Sequence, residues 1–177
     1  YAELQVTTNF TFLHGASHPH ELVATAAALG QQAIAITDRN SLAGVVRAHA
    51  TAKSLNIKLL IGVRLDFIDA PSLLCLPINR TAYNQLSSLL TRGKRRTTKG
   101  QCELYHNDLI EHCADQILIA LPPKKTNSAF DTFIHACIRT FETDAELIKN
   151  CNFNQFFVME KFVSSDQYFS MMFKKIT

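Results

Sequence analysis

Apolar and polar positions along this chain fall into short blocks that switch between a strand period and a helix period. Ala33 to Ile36 is an apolar run with no period of its own, the pattern of a strand buried on both faces. Before it, Glu3 to Thr7 alternates polar and apolar residues as a first strand. His20 to Leu29 then places Leu22, Ala26 and Leu29, with the small Thr25 among them, on one face of a helix that Gly30 ends. After the central run, Asn40 and Ser41 are helix N-cap residues. The helix they open, to about Leu55, presents Leu42, Val45, Val46, Ala50 and Leu55 as its apolar face. Leu59 to Val63 is a third, nearly all apolar strand. Strand, helix, strand, helix, strand at this spacing implies parallel strands joined by crossovers.

Further along, Asp69-Ala70-Pro71 is a turn, Leu73 to Leu76 a short strand, and Thr81 to Thr91 a helix that buries Tyr83, Leu86, Leu89 and Leu90. The run Arg92 to Gly100 reads as an exposed basic loop, because Gly, Thr and Lys punctuate it. A short helix around Asp108 to Cys113 leads into the strand Gln116 to Leu121, which Pro122-Pro123 stops. Helices are expected over Ser128 to Phe141 and Thr143 to Asn150, a strand over Phe156 to Met159, and a last helix over Asp166 to Lys175. Phe156, Phe157, Phe162, Tyr168, Phe169 and Phe173 read as core. A final helix without a following strand suggests a C-terminally incomplete domain, and the missing initiator Met suggests a start inside or just after a trimmed segment.

Composition sharpens this only in places. A chain of 177 residues, 47% hydrophobic, supports one core, so residues 1–177 are expected to form most of one domain. A net charge of +3 is too mild to name a nucleic-acid partner, which leaves the distribution of charge to argue. The five cysteines are an odd number, far apart and without a Cys-x-x-Cys pair. They argue against a disulfide framework or zinc knuckle and fit a reducing cytoplasm. No apolar run approaches the roughly 18 residues of a membrane helix, so no membrane partner is expected.

Candidate chemistry begins at Thr37-Asp38, at the carboxyl end of the central strand, where α/β sheets place their sites. The order of motifs around it is specific: Phe10-Thr11-Phe12-Leu13-His14-Gly15-Ala16-Ser17-His18-Pro19, Ala35-Ile36-Thr37-Asp38-Arg39-Asn40-Ser41-Leu42-Ala43-Gly44, Ile61-Gly62-Val63-Arg64, Leu74-Cys75-Leu76-Pro77, Leu89 through Arg96 and Leu121-Pro122-Pro123. Together they resemble the amino-terminal PHP domain (polymerase and histidinol phosphatase) of bacterial family C DNA polymerases. The match is closer to the damage-induced, error-prone, DNA polymerase III alpha-like branch than to the replicative one, and it is dense to about Pro123.

That resemblance implies an α/β fold, a PHP-type distorted (β/α)7 barrel, with metal ions at the strand carboxyl ends. Metal-competent members carry His-x-His on the first strand, Thr-Asp-His after the second and Gly-x-Glu after the third. Here those positions hold Gln5 and Thr7, then Asp38 followed by Arg39, then Arg64. One carboxylate beside two arginines repels a cation, and a guanidinium cannot become a ligand. No catalytic residue and no metal is therefore assigned to this domain, and these five are vestigial positions. The alternative is an active metal-dependent phosphoesterase or proofreading exonuclease. The resemblance further implies a parent DNA-directed DNA polymerase of DNA repair and translesion synthesis. Its partners would be the rest of the polymerase chain, DNA and replication or repair proteins. Its catalytic Mg²⁺ would sit in a palm domain absent from these residues.

Three smaller readings complete the picture. His14, His18 and His20 are expected to be ordinary surface histidines rather than a metal cluster, and the Cys102, His106, His112, Cys113 spacing is equally weak. Arg92, Lys94, Arg95, Arg96 and Lys99 are candidate DNA or partner contacts whose contribution would weaken with salt. Arg64 is expected to replace the metal by pairing with Asp38, with Arg39 the lesser candidate.

Overall fold

The computed structural model describes residues 1–121 and the backbone of residues 156–161 and 171–175. The helices expected over 128–141 and 143–150 lie outside the described residues. The chain divides into two compact units, Tyr1–Leu65 and Asp66–Thr177.

In the first unit, β1 (Ala2–Val6), β2 (Ala33–Ile36) and β3 (Lys58–Ile61) form a sheet in that order, all parallel, with Val6 opposite Ile36 and Ile36 opposite Ile61. All three carboxyl ends therefore meet at one edge. The crossovers are α1 (Pro19–Ala28) and α2 (Val45–Leu55), and β4 (Val63–Leu65) follows β3 after Gly62. All four residues of β2 are buried, as its unbroken apolar run requires. Glu21 caps α1 by accepting from the His18 N–H at 2.8 Å. The helix closes on Gly30 at φ +69°, with Gln31 N–H donating to Ala26 O and Gly30 N–H to Ala27 O, a Schellman end.

Both helices turn inward a face that only partly coincides with the one the apolar pattern suggests: Leu22, Ala26 and Val45 belong to both. α1 buries Pro19, Val23 and Ala26, while Leu29 is 72% exposed. α2 starts at Val45 rather than Ser41, because Asn40 takes a left-handed backbone (φ +46°) and Ser41 caps a local turn by accepting from Ala43 N–H. It buries Val45, Ala48 and Ala52 and leaves Val46 78% exposed. The small alanines let the helix approach closely, so the core forms from Val23, Ala26, Ile34, Ile36, Ala48, Ala52 and Ile57. Each large aliphatic fully buried here contributes roughly 1.5–3 kcal/mol.

In the second unit, β5 (Leu73–Pro77) pairs antiparallel with β6 (Gln116–Ala120), β6 parallel with β7 (Phe156–Lys161), and β7 antiparallel with β8 (Met171–Lys175). The helix expected over Asp166–Lys175 is thus corrected for its last five residues, which are a strand held by the β7 ladder. Pairing with a neighbouring strand overrides local helix preference in so short a piece. α3 (Arg80–Arg95) buries Ala82, Leu86, Leu89, Leu90 and Gly93, and α4 (His106–Ile110) is a single short turn of helix. α3 runs four residues beyond its expected end at Thr91 and absorbs the first half of the basic run. Gly93 permits this, since a Cβ there would come within 2.6 Å of Leu104 Cδ2.

Asn79 caps α3, its side-chain oxygen accepting from Ala82 N–H at 2.8 Å while its amide donates to Asp115 Oδ2 at 2.8 Å. Asn79→Ala should lower stability by about 1 kcal/mol in denaturant titrations, and Asn79→Ser, which keeps a capping oxygen, should recover part of it.

Candidate functional site

The three parallel strands of the first unit bring Thr7 and Thr8, Thr37 and Asp38, and Gly62 to Arg64 to one edge. Thr37 N–H donates to Val6 O at 2.9 Å and Gly62 N–H to Ile36 O at 3.1 Å. Beyond the strand ends, Arg64 N–H donates to Asp38 O at 3.1 Å and Asn40 N–H to Arg64 O at 3.0 Å, so Arg39 and Arg64 stand side by side in parallel register. Asp38 is at the edge the sequence indicates, but it is only 1% exposed.

Its carboxylate is already occupied. Oδ1 accepts from the Thr8 N–H and the Thr11 hydroxyl, each at 2.7 Å, and Oδ2 accepts from the Thr8 hydroxyl at 2.8 Å. The same hydroxyls accept in turn: Thr8 Oγ1 from Phe10 N–H and Thr11 Oγ1 from Arg39 N–H, both at 3.1 Å. The remaining side of Oδ2 is covered by Gly44, where an added Cβ would lie 2.9 Å from Oδ2 and 3.2 Å from Thr8 Oγ1. Asp38 thus ties the loop after β1 to the tip of β2. The expected Arg64 partnership is corrected: Thr8 and Thr11 hold the carboxylate, and Arg64 meets residue 38 through the backbone. A threonine contributes a donor without a desolvated charge, and the loop already places two of them on the acid.

The other positions that the resemblance singles out, Gln5, Thr7 and Arg39, have neighbours of their own. Gln5 and Thr7 are half-buried, and the Gln5 N–H donates to Glu3 Oε1 at 3.2 Å. Arg39 Nη1 lies 3.3 Å from His14 Nε2. The Asn9 amide donates to His18 Nδ1 at 2.9 Å, and the His18 and His20 rings stack at 5.4 Å. Among the described residues no three His, Cys, Asp or Glu side chains converge on one point. The residues at this edge make a poor set for a divalent cation: three of the four acceptor positions of the Asp38 carboxylate are taken by Thr8 and Thr11, and positions 39 and 64 hold arginines, which cannot become ligands.

The basic run forms a second cluster, in the second unit. Asp108, whose side chain is 7% exposed, accepts from Arg96 through both terminal nitrogens, at 2.7 Å for the Nη2–Oδ1 bond. It also accepts from Arg92 Nη1 at 3.4 Å and from Tyr105 N–H at 3.0 Å. Arg92 Nη1 reaches Glu111 Oε2 at 2.5 Å as well, and the Arg96 guanidinium lies 5.4 Å from the Tyr105 ring centre. The Arg96 bond above all, then Tyr105 and Arg92, holds the Asp108 carboxyl well below the usual range against the opposing effect of burial. Two of the five basic candidates are therefore structural ion-pair partners, while Lys94, Arg95 and Lys99 are exposed. Nearby, burial pushes the Cys102 thiol up and lowers His106, the latter opposed by Asp69. Cys75 and Cys102 are free thiols. No described helix is long and apolar enough to cross a membrane.

Parallel strands with crossover helices, and an acidic residue at the central tip, define a mixed α/β domain. Residues 3–152 match the PHP domain family, and the chain belongs to that family. Its relatives include an error-prone DNA polymerase of Caulobacter vibrioides, 54% identical over 132 residues, covering 74% of this chain and 12% of that protein. Error-prone DNA polymerase 2 of Agrobacterium fabrum is 50% identical over 122 residues, covering 69% and 11%. This chain thus spans about an eighth of the length of the relatives it matches. Among solved structures, a candidate metal-dependent phosphoesterase of Bifidobacterium adolescentis superposes with a TM-score of 0.58 at 14% identity, covering 78% of this chain and 73% of that one. That likeness shows the fold.

Two measurements probe these clusters. Thr11→Val keeps the shape but removes one donor from a buried carboxylate, and should cost about 1–3 kcal/mol in denaturant titrations, with Thr11→Ser restoring most of it. Asp108 has a folded-state pKa below its ordinary value near 3.8, so its contribution is complete above that value and is lost as pH falls below it. Asp108→Asn should lower the melting temperature at pH 7 and shrink the further loss seen on acidification below about pH 4, relative to the parent.

Proposed function

We propose that this chain is the PHP domain of an error-prone, DNA repair polymerase and serves there as a structural domain, without phosphoesterase or proofreading chemistry of its own. The observation that carries the structural reading is the Asp38 carboxylate, buried and holding three hydrogen bonds from Thr8 and Thr11. A phosphoesterase of this class needs an acid free to coordinate a cation, and this one is committed to holding a loop. Membership of the polymerase branch is supported by relatives of 40–54% identity that carry the name error-prone DNA polymerase. Its partners are then the remaining polymerase chain and, through it, DNA. The Mg²⁺ of nucleotide transfer belongs to a domain outside these residues.

The test uses the full-length polymerase chain. It should extend primers with frequent misincorporation while hydrolysing neither a generic phosphoester nor a primer 3′ end. Dialysed protein should show no Mn²⁺ or Zn²⁺ that Asp38→Asn removes, with circular dichroism checking that the variant stays folded. An ion lost specifically in that variant, together with phosphoester hydrolysis lost with it, would establish the phosphoesterase reading instead.

A further inference from the structure

A cleft of about 670 Å³ in the second unit is lined by Ser87, Ser88, Thr91, Arg92, Arg95, Arg96 and His112. Its wall is one face of α3, where residues 88, 92 and 95 recur at helical spacing, completed by His112 beyond α4. Three guanidinium groups and no acidic side chain face it. Behind the wall, Asp108 and Glu111 grip Arg92 and Arg96. Those ion pairs use Nη1 of Arg92, so among the described residues its Nε and Nη2 hydrogens have no acceptor. The pairs also fix two long side chains that would otherwise lose rotamer freedom on binding.

Hydroxyl chemistry singles out one side chain. Ser87 and Thr91 donate their hydroxyl hydrogens to the carbonyls of Tyr83 and Ser87, at 2.9 and 2.8 Å. Ser88 and the exposed Arg95 have no such commitment among the described residues. His112 is oriented by an Nδ1 contact of 2.8 Å with Asp108 O, which leaves Nε2 for the cleft. The cleft therefore offers N–H and O–H donors with excess positive charge, in a volume suited to an organic anion rather than a lone ion.

We propose that this cleft binds phosphate groups, with Arg95, Arg92 and Ser88 as the donors, and that the phosphates are those of a DNA backbone. The second half rests on the polymerase reading; the first rests on the cleft alone. It moves the DNA contact suggested by the basic run from a loop to a helix face. Lys94 and Lys99 are absent from the cleft lining, and Arg96 contributes mainly by anchoring Asp108.

The experiment measures binding of short duplex DNA and of inorganic pyrophosphate to the full-length chain over a range of salt. Arg95→Gln leaves the Asp108 ion pairs intact, Ser88→Asp sets a carboxylate one helical turn from Arg92 where it competes with an incoming phosphate, and Lys99→Gln is the control outside the cleft. Arg95→Gln should weaken DNA binding about tenfold and reduce the log–log salt slope by about 0.9. Ser88→Asp should weaken it as well, and Lys99→Gln should do less than either. Pyrophosphate binding that is lost in both cleft variants, with DNA affinity and slope unmoved, assigns the site to a free phosphate-bearing ligand and overturns the DNA half alone. Variants that bind both probes like the parent, or a Lys99→Gln effect equal to that of Arg95→Gln, overturn the proposal. Primer extension and metal content are read on the same samples, so failure of the polymerase reading registers separately.

Discussion

The strand edge of the first unit depends on how one buried carboxylate is satisfied. An ionised acid removed from water costs several kcal/mol in order of magnitude unless donors meet it. Asp38 receives three hydrogen bonds, all from Thr8 and Thr11, and the threonine oxygens then accept backbone N–H groups of Phe10 and Arg39. The loop after β1 thereby acquires a fixed path over the tip of β2. Gly44 has to be side-chain-free where α2 begins, since the space a Cβ would need is taken by the same carboxylate and hydroxyl. Strand tip, loop and helix start are all set around one acid.

The second unit answers the same problem with charge. Asp108 is nearly as buried as Asp38, yet its partners are Arg96 and Arg92. The difference has consequences. Neutral hydroxyls enclose an acid in a closed network, whereas guanidinium groups carry several donors in a fork and keep some for other acceptors. The Asp38 network is inward and complete; the Asp108 network leaves donors facing a cleft. Donors that could meet an anion are therefore more available at the ion-paired cluster than at the Asp38 tip.

How legible was this from the residues? The unbroken apolar run of Ala33–Ile36, the glycine at 30 and the strand–helix alternation through Ile61 correspond to elements of the structure, because each is a local signal that tertiary contacts reinforce. The placement of Asp38 at a strand end was equally readable. Its partners were not. Thr8 and Thr11 are 30 and 27 residues away in sequence, and nothing in a Thr-x-x-Thr spacing says which acid it will meet. A guanidinium at position 64 looked the better match on charge, but three donors already delivered by the loop leave little for a fourth to gain. The inward faces of α1 and α2 were only partly legible for a related reason. Large side chains such as Leu29 and Val46 suggest burial, whereas the close approach is made by Val23, Ala26, Ala48 and Ala52.

What the chain determined by itself is its family, its class of fold and the residue types that stand near the strand ends, since the identities of Gln5, Thr7, Arg39 and Arg64 do not depend on geometry. What only the tertiary structure decided is the use made of the residues that remain. A basic run became the end of α3 because Gly93 could pack against Leu104 and because Asp108, Glu111 and Tyr105 stood ready to receive Arg92 and Arg96. The stretch Met171–Lys175 became a strand because β7 offered a ladder. Hydrogen bonds and ion pairs act over a few ångströms, so their partners follow from the path of the folded backbone and not from distance along the sequence.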